Sequence, residues 1–252
     1  MSDAAVSAWA FGYEMGKLDS GGALLGFLID AGVRYGSTGL ARGYISAVAN
    51  VSSTAADRLN QLIDDIESRD PLFAYHLSTA APAVSQAFER TVRLVDAGKL
   101  APTFLQGFLM TPAGATLDVR QFSEALDRLV AAAEGGDIGA AQSAIDAVAY
   151  SIQQDADRAE LLANERIRSA MWRLLDVATD LGGEDAYNWS QVLAQLVSLD
   201  PGHAARLAVT ALLHDRLDRD EEAKAILIEM ATSYPDVVME RYPLKKSGGQ
   251  VY

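Results

Sequence analysis

The sequence predicts an all-α protein: a right-handed stack of antiparallel helical hairpins, an α-solenoid, of about 12–14 helices. Three observations predict it. Apolar residues recur at i, i+3, i+4 and i+7 through most of the chain, the spacing that lines one face of a 3.6-residue helix. No convincing run of alternating apolar and polar residues, the mark of a half-buried strand, interrupts them. One unit, a helix that stops where a proline starts the next, also recurs in register. Nine residues before Pro71, Pro201 and Pro235 stand Leu62, Val192 and Ile226; eight before stand Ile63, Leu193 and Leu227; five before stand Ile66, Leu196 and Met230. Three residues after each proline come Ala74, Ala204 and Val238.

Ala4 to Met15, with Trp9, Phe11 and Tyr13, and Gly21 to Val33, with the stripe Leu24, Leu25, Leu28 and Ile29, read as a first helical hairpin split at Asp19-Ser20-Gly21-Gly22. An end helix should turn a polar face to water, yet this hairpin has few charges. Its outer face is expected to be covered by residues upstream in a longer parent protein or by a second copy. After Gly36 to Thr38, a helix carries Leu40, Tyr44, Ile45 and Val48. Thr54 is expected to cap a helix running through Glu67, and Ser68 to Pro71 restarts one through Leu77. Pro82 opens a long helix with Val84, Phe88, Val92 and Leu94 or Val95 inward, stopped by Gly98. Pro102 to Met110 is a short apolar helix, and residues 111–116, with Pro112 and Gly114, are the expected linker. The linker divides N-terminal repeats at 1–110 from C-terminal repeats at 117–244 within one continuous elongated domain, followed by a flexible tail at 245–252.

Leu117-Asp118 starts a helix with Phe122, Leu126, Leu129, Val130 and Ala133 on one face. Gly135-Gly136-Asp137 turns into Ala140 to Ile152, where Ile145, Val148, Ala149 and Ile152 align. From Asp155 to Leu181 a single stripe of Ile167, Met171, Leu174, Ala178 and Leu181 predicts one long helix, with Trp172 beside it. Trp189, Val192, Leu193, Leu196 and Val197 line the next, and Asp200-Pro201 supplies a capping carboxylate and a first-turn proline for its successor. That successor, with Ala204, Leu207, Ala208, Ala211 and Leu212, has small side chains that let a neighbour approach closely. Asp215 to Glu222 is a charged turn in which Asp218 or Asp220 is the expected cap. Ala223, Ile226, Leu227, Met230 and Ala231 then resume the stripe until Tyr234-Pro235.

Residues 204 to 235 resemble one tetratricopeptide-type helical hairpin: small Ala211 in the first helix, small Ala223 and bulky Leu227 in the second, and Pro235 at the close. Leu207 and His214 stand where that family carries large aromatics. More loosely, residues 38 to 110 and 157 to 242 resemble the irregular HEAT-like repeats of large bacterial multidomain proteins. The resemblance implies a superhelical binding surface without chemistry of its own, as in the recognition arms of defence-type nucleotidases.

Composition narrows the function classes. Half the residues are hydrophobic and 22% are charged, so the chain can bury a core. With 21 basic and 34 acidic residues its net charge is −13, which repels phosphate backbones and anionic lipid; nucleic acid and membrane are not expected partners. The absence of cysteine removes disulfides, thiolate nucleophiles and cysteine-bound metal. Met1 to Tyr13 lacks the basic start of a secretory signal, and Asp30 breaks the longest apolar tract, so a cytoplasmic location is expected.

The candidate chemistry is sparse. A magnesium site would want carboxylates one helical turn apart, whereas consecutive Asp64 and Asp65 diverge by about 100°. The run Asp64-Asp65-Ile66-Glu67 is therefore expected to be a solvated face opposite Leu62 and Ile66. The acids around His214-Asp215 have Arg216 and Arg219 among them and read as a polar turn. His76, His203 and His214 contain no i, i+4 pair for zinc. No Gly-x-Ser-x-Gly elbow or phosphate-binding loop occurs, and Trp9, Trp172 and Trp189 read as core anchors. No catalytic, metal or cofactor residue is assigned. The expected function is a non-enzymatic scaffold that binds a protein, such as a subunit of a larger bacterial complex, on its concave face. The candidate surface is Asn188, Gln191 and Gln195 beside Trp189, with Arg206 and Asp215. The alternative is an all-α enzyme or small-ligand binder with its pocket between the two lobes, around residues 111–116.

Overall fold

Helix is the only regular structure among the described residues, with fourteen α-helices, one 3-10 helix and no strand. The computed structural model describes residues 3–19, 22–35, 38–48, 53–110, 117–178, 184–212 and 221–236. By its contacts the chain forms two units, Met1–Phe104 and Leu105–Tyr252. No described helix is long and apolar enough to cross a membrane.

The first unit holds α1 (Asp3–Leu18), α2 (Leu25–Tyr35), α3 (Gly39–Val48), α4 (Ser53–Glu67), α5 (Pro71–Ser78), α6 (Pro82–Ser85) and α7 (Ala87–Asp96). Its core gathers Leu25, Leu28 and Ile29 from α2, Tyr44, Ile45 and Val48 from α3, Leu59, Ile63 and Ile66 from α4, and Phe73, Ala74 and Leu77 from α5; of the residues expected inward, Leu24 is 39% exposed and Leu40 and Leu62 are only partly buried. The principal neighbour of α1 is α3, however, and not α2 as a sequential hairpin would require. The cause is glycine. A Cβ on Gly12 would lie 2.1 Å from the Leu40 carbonyl oxygen, one on Gly43 2.0 Å from that of Trp9, and one on Gly16 2.6 Å from that of Tyr44. Gly12 and Gly16 on α1 and Gly43 on α3 thus leave helix faces bare enough for backbone to meet backbone.

Two polar ties fix the rest of this unit. The buried Tyr44 hydroxyl donates to Asp19 Oδ2 at 2.5 Å, and the Leu24 N–H donates to the same oxygen at 2.9 Å. The hydroxyl, followed by the amide, holds the Asp19 carboxyl below its ordinary value; burial, followed by the Asp19 bond, pushes the Tyr44 phenol up. Between α4 and α7, Arg90 is 6% exposed and its Nη1 donates to Asp64 Oδ1 and Glu67 Oε2, each at 2.6 Å, while Arg93 reaches Glu67 at 2.7 Å. The acidic run is therefore no mere solvated face: Asp64 and Glu67 are α4's half of an ion-pair bridge. Only the tertiary approach of a guanidinium from α7 reveals this.

Helix starts follow local chemistry closely. Asp70 accepts from Phe73 N and Asp200 from His203 N, both at 2.9 Å, so the two Asp-Pro pairs make the same cap. Asp118 accepts from Gln121 N and Asp137 from Ala140 N, both at 3.0 Å. Each such cap contributes about 1 kcal/mol. Three boundaries expected between Thr54 and Met110 need correction. The helix expected from Pro82 to Gly98 breaks at Gln86, whose φ of 51° is left-handed. The buried Ser85 hydroxyl donates back to the Ser78 and Ala81 carbonyls there, and the break re-phases the helix so that Ala87, Phe88, Thr91 and Leu94 point inward while Val92 stays half-buried. The apolar segment after Pro102 is a 3-10 helix over Pro102–Phe108. Thr54 lies inside α4, which begins at Ser53.

The second unit holds α8 (Val119–Glu134), α9 (Ile138–Ile152), α10 (Asp155–Ala163), α11 (Glu165–Val177), α12 (Glu184–Leu196), α13 (Pro201–Leu212) and α14 (Glu221–Ser233). The single long helix expected over 155–181 is two helices, because Asn164 adopts an extended conformation (ψ 114°) and its side chain caps Ile167 N at 3.2 Å. Leu105 and Leu109 are fully buried, and the buried Ser151 hydroxyl of α9 holds the Leu109 carbonyl at 2.8 Å. Beyond its hairpin with α9, α8 packs on α11, and α9 packs on α12. The expected caps at Asp218 and Asp220 lie outside the described residues.

Two measurements check these contacts. Gly43→Ala should destabilise the protein by about 3 kcal/mol or more in urea unfolding, since its methyl overlaps backbone, whereas Gly107→Ala, with nothing within 4 Å, should stay within about 0.5 kcal/mol. Because folding lowers the Asp19 pKa from 3.8, its contribution is present above that pH and lost as pH falls through the lower folded value. The thermal-stability gap between wild type and Tyr44→Phe should therefore narrow on acidification below pH 3.8.

Candidate functional site

The candidate surface is built on α12, whose amphipathic stripe explains its orientation. Trp189 is 2% exposed and its indole N–H donates to the Leu175 carbonyl of α11 at 3.2 Å, satisfying the polar atom that burial would otherwise strand. With Val192, Leu193 and Leu196 it fixes which side chains remain outside.

The five sequence candidates do not form one row. Asn188 turns onto α9, where its amide donates to Asp146 Oδ1 at 2.9 Å; one turn earlier Asp185 accepts from Gln142 Nε2 at 2.7 Å. Asn188 is thus a helix-to-helix tie. Gln191 lines an open groove of about 420 Å³ together with Ala194, Val197, Ile226, Glu229, Met230, Ser233 and Tyr234. Gln195 is half-buried on α12 and does not line this groove. Arg206 is exposed on α13 and its carbonyl accepts the Thr210 hydroxyl. Asp215 lies outside the described residues, as does the 111–116 loop on which the alternative pocket was centred.

Compared with protein families, with curated proteins and with solved structures, the chain finds no match. Its own geometry supplies what there is to read.

A second, wider groove of about 760 Å³ is lined by Asp127, Asn164, Glu165, Arg166, Ser169 and Arg173. Three of its charged side chains are paired: Arg166 Nε donates to Asp127 Oδ2 at 2.6 Å, and Arg173 clamps Glu134 through two bonds at 2.8 and 2.5 Å. That clamp lowers the Glu134 pKa and raises that of Arg173. These pairs join α8 to α11 and were invisible in the sequence, because partners 39 residues apart carry no local signal.

The two described histidines serve locally, and His214 lies outside the described residues. His203 stacks on Trp172, with ring centroids 4.6 Å apart and planes 13° from parallel, and its Nε2 lies 3.0 Å from Asp176 Oδ1. His76 packs edge-on to Tyr75, and burial, followed by the Arg42 charge, holds its pKa below the ordinary value. Of the tryptophans read as core anchors, only Trp189 is core: Trp9 is 38% exposed and Trp172 half-buried. No group of three His, Asp or Glu side chains among the described residues is arranged to hold a metal ion.

Removing the Asn188 amide tests its role as a tie. Asn188→Ala should cost about 1 kcal/mol in chemical unfolding, and a double-mutant cycle with Asp146→Ala should recover most of that as coupling.

Proposed function

We propose that this chain is a non-enzymatic helical-repeat module that holds a protein partner, with a segment of the partner lying in the groove between α12 and α14. The reading is supported above all by the register of the polar pairs in the second unit. Asp127–Arg166 and Glu134–Arg173 are both separated by 39 residues, and Gln142–Asp185 and Asp146–Asn188 by 43 and 42. In each set the contact advances along both helices together, so α11 runs with α8 and α12 with α9. First helix on first and second on second, at a period of roughly 40 residues, is what stacked HEAT-like hairpins produce. The contact of α12 with α14 joins the two helices that the proline frame aligned, Val192 with Ile226 and Leu196 with Met230.

The chemistry of the groove names the kind of partner. Ala194, Val197, Ile226 and Met230 offer an apolar floor, and Gln191, Glu229 and Ser233 a polar rim. An amphipathic helix with apolar anchors at i, i+3 or i+4, and i+7 fits such a floor, and Lys or Arg on its flank would face Glu229. The net charge of −13 favours approach of a basic or mixed segment. The test is affinity capture with the tagged chain from its native extract, identification of the partner, and repetition with positive charge placed on the rim. Glu229→Lys with Gln191→Lys should reduce recovery of that partner about tenfold or more; undiminished recovery removes this groove from consideration.

A further inference from the structure

Arg42 of α3 differs from the arginines that brace other helices. Arg90, Arg166 and Arg173 each hold a carboxylate, whereas the Arg42 side chain makes no hydrogen bond or ion pair among the described residues. Its Nε is nevertheless shut off from water without an acceptor, and the side chain as a whole is half-buried. A guanidinium so placed opposes folding, because it has lost hydration and gained no partner.

Two more unpaired donors lie beside it on α5. The Ser46 hydroxyl, one turn beyond Arg42, donates to the Ala80 carbonyl at 2.9 Å, and one turn before Ala80 stand Tyr75 and His76. Burial and then the Arg42 charge lower the His76 pKa, with Asp70 raising it by less; at Tyr75 burial raises the phenol and Arg42 opposes it. The Arg42 charge thus acts on both rings, so the contact recedes along α3 and α5 together and the three side chains share one site. Arg42 outweighs Asp70 there, which makes the site locally positive in a chain of net charge −13. The Tyr75 hydroxyl and the His76 ring nitrogens have no hydrogen-bond partner among the described residues, and both side chains are half-buried. Tyr75 also meets Phe104 edge-on, with ring centroids 4.9 Å apart.

We propose that Arg42, Tyr75 and His76 form a binding site for the carboxylate of a small organic acid, whose apolar part lies against Tyr75 and Phe104. One guanidinium balances one carboxylate, whereas a phosphate dianion would retain excess negative charge in an acidic chain. The planar fork pairs with the carboxylate oxygens, and the phenol and the N–H of a neutral imidazole supply donors for the lone pairs that remain. The site belongs to the first unit, and its role does not depend on what the α12–α14 groove holds.

The full-length chain tests this by NMR of its three histidine imidazoles, with the His76 signals assigned by their loss in His76→Gln. Sodium benzoate at neutral pH should shift those signals saturably, with a dissociation constant of about 1 mM or tighter. Saturation should raise the His76 pKa toward its ordinary 6.5, because the bound anion offsets the Arg42 charge. Inorganic phosphate should bind more weakly. Tyr75→Phe, which keeps the ring contacts, should weaken benzoate binding about threefold or more. Arg42→Met should weaken it about tenfold or more while the unfolding midpoint holds or rises, since an unpaired, half-buried charge is removed. No saturable shift by about 50 mM benzoate, binding undiminished in Arg42→Met or Tyr75→Phe, tighter binding of phosphate, or a lowered midpoint in Arg42→Met, the mark of a bracing role, would each overturn the proposal.

Discussion

The structure depends on where its helices stop. A chain with apolar residues at helical spacing over most of its length could bury little as long continuous rods; it makes a core because short-range caps cut it into rods that fold back. Asp70, Asp118, Asp137, Asn164 and Asp200 each accept a hydrogen bond from the backbone N–H three residues on. Each bond satisfies a donor that the start of a helix leaves orphaned and commits the preceding residue to an extended or turning conformation. Gln86 makes a break without a side-chain cap, through its left-handed φ and the neighbouring Ser85 hydroxyl, which competes for carbonyls.

Once cut, the rods are sorted by what their faces offer. Bare glycine faces draw α1 onto α3, where any side chain would collide with main chain. Elsewhere polar residues choose the neighbour and the direction: Arg90 bridges from α7 to α4, and the paired ties from α8 to α11 and from α9 to α12 settle that those helices run alike. The exposed members of these ties add little stability singly, because water screens them. Their value is discrimination among packings that hydrophobic burial alone would leave nearly equal. Buried Arg90 differs, because a guanidinium taken out of water without its carboxylates would be strongly unfavourable.

This division also separates the side chains that open onto a groove from those that brace one helix on another. Asn188 and Gln191 are one turn apart, and sequence reasoning puts them on one face. In the fold, Asn188 ties α12 to α9, while Gln191 opens onto the groove with α14. A polar residue on a helix has no local property that distinguishes these roles. The same limit hid the partners of Asp64 and Glu67, whose carboxylates look solvated until Arg90 arrives from 26 and 23 residues away.

By itself the sequence determined the helical class, the inward stripes and most helix starts, since periodicity and capping act over three to seven residues and are written into neighbouring positions. It also held the Asn164 cap and the paired Gly-x-x-x-Gly motifs, signals that apolar periodicity overrode. Only the tertiary structure decided which helix lies on which, which charges are bridges, and which polar side chain is left facing a groove. Those choices arise from contacts between residues tens of positions apart, and their energies exist only when both helices are already in place.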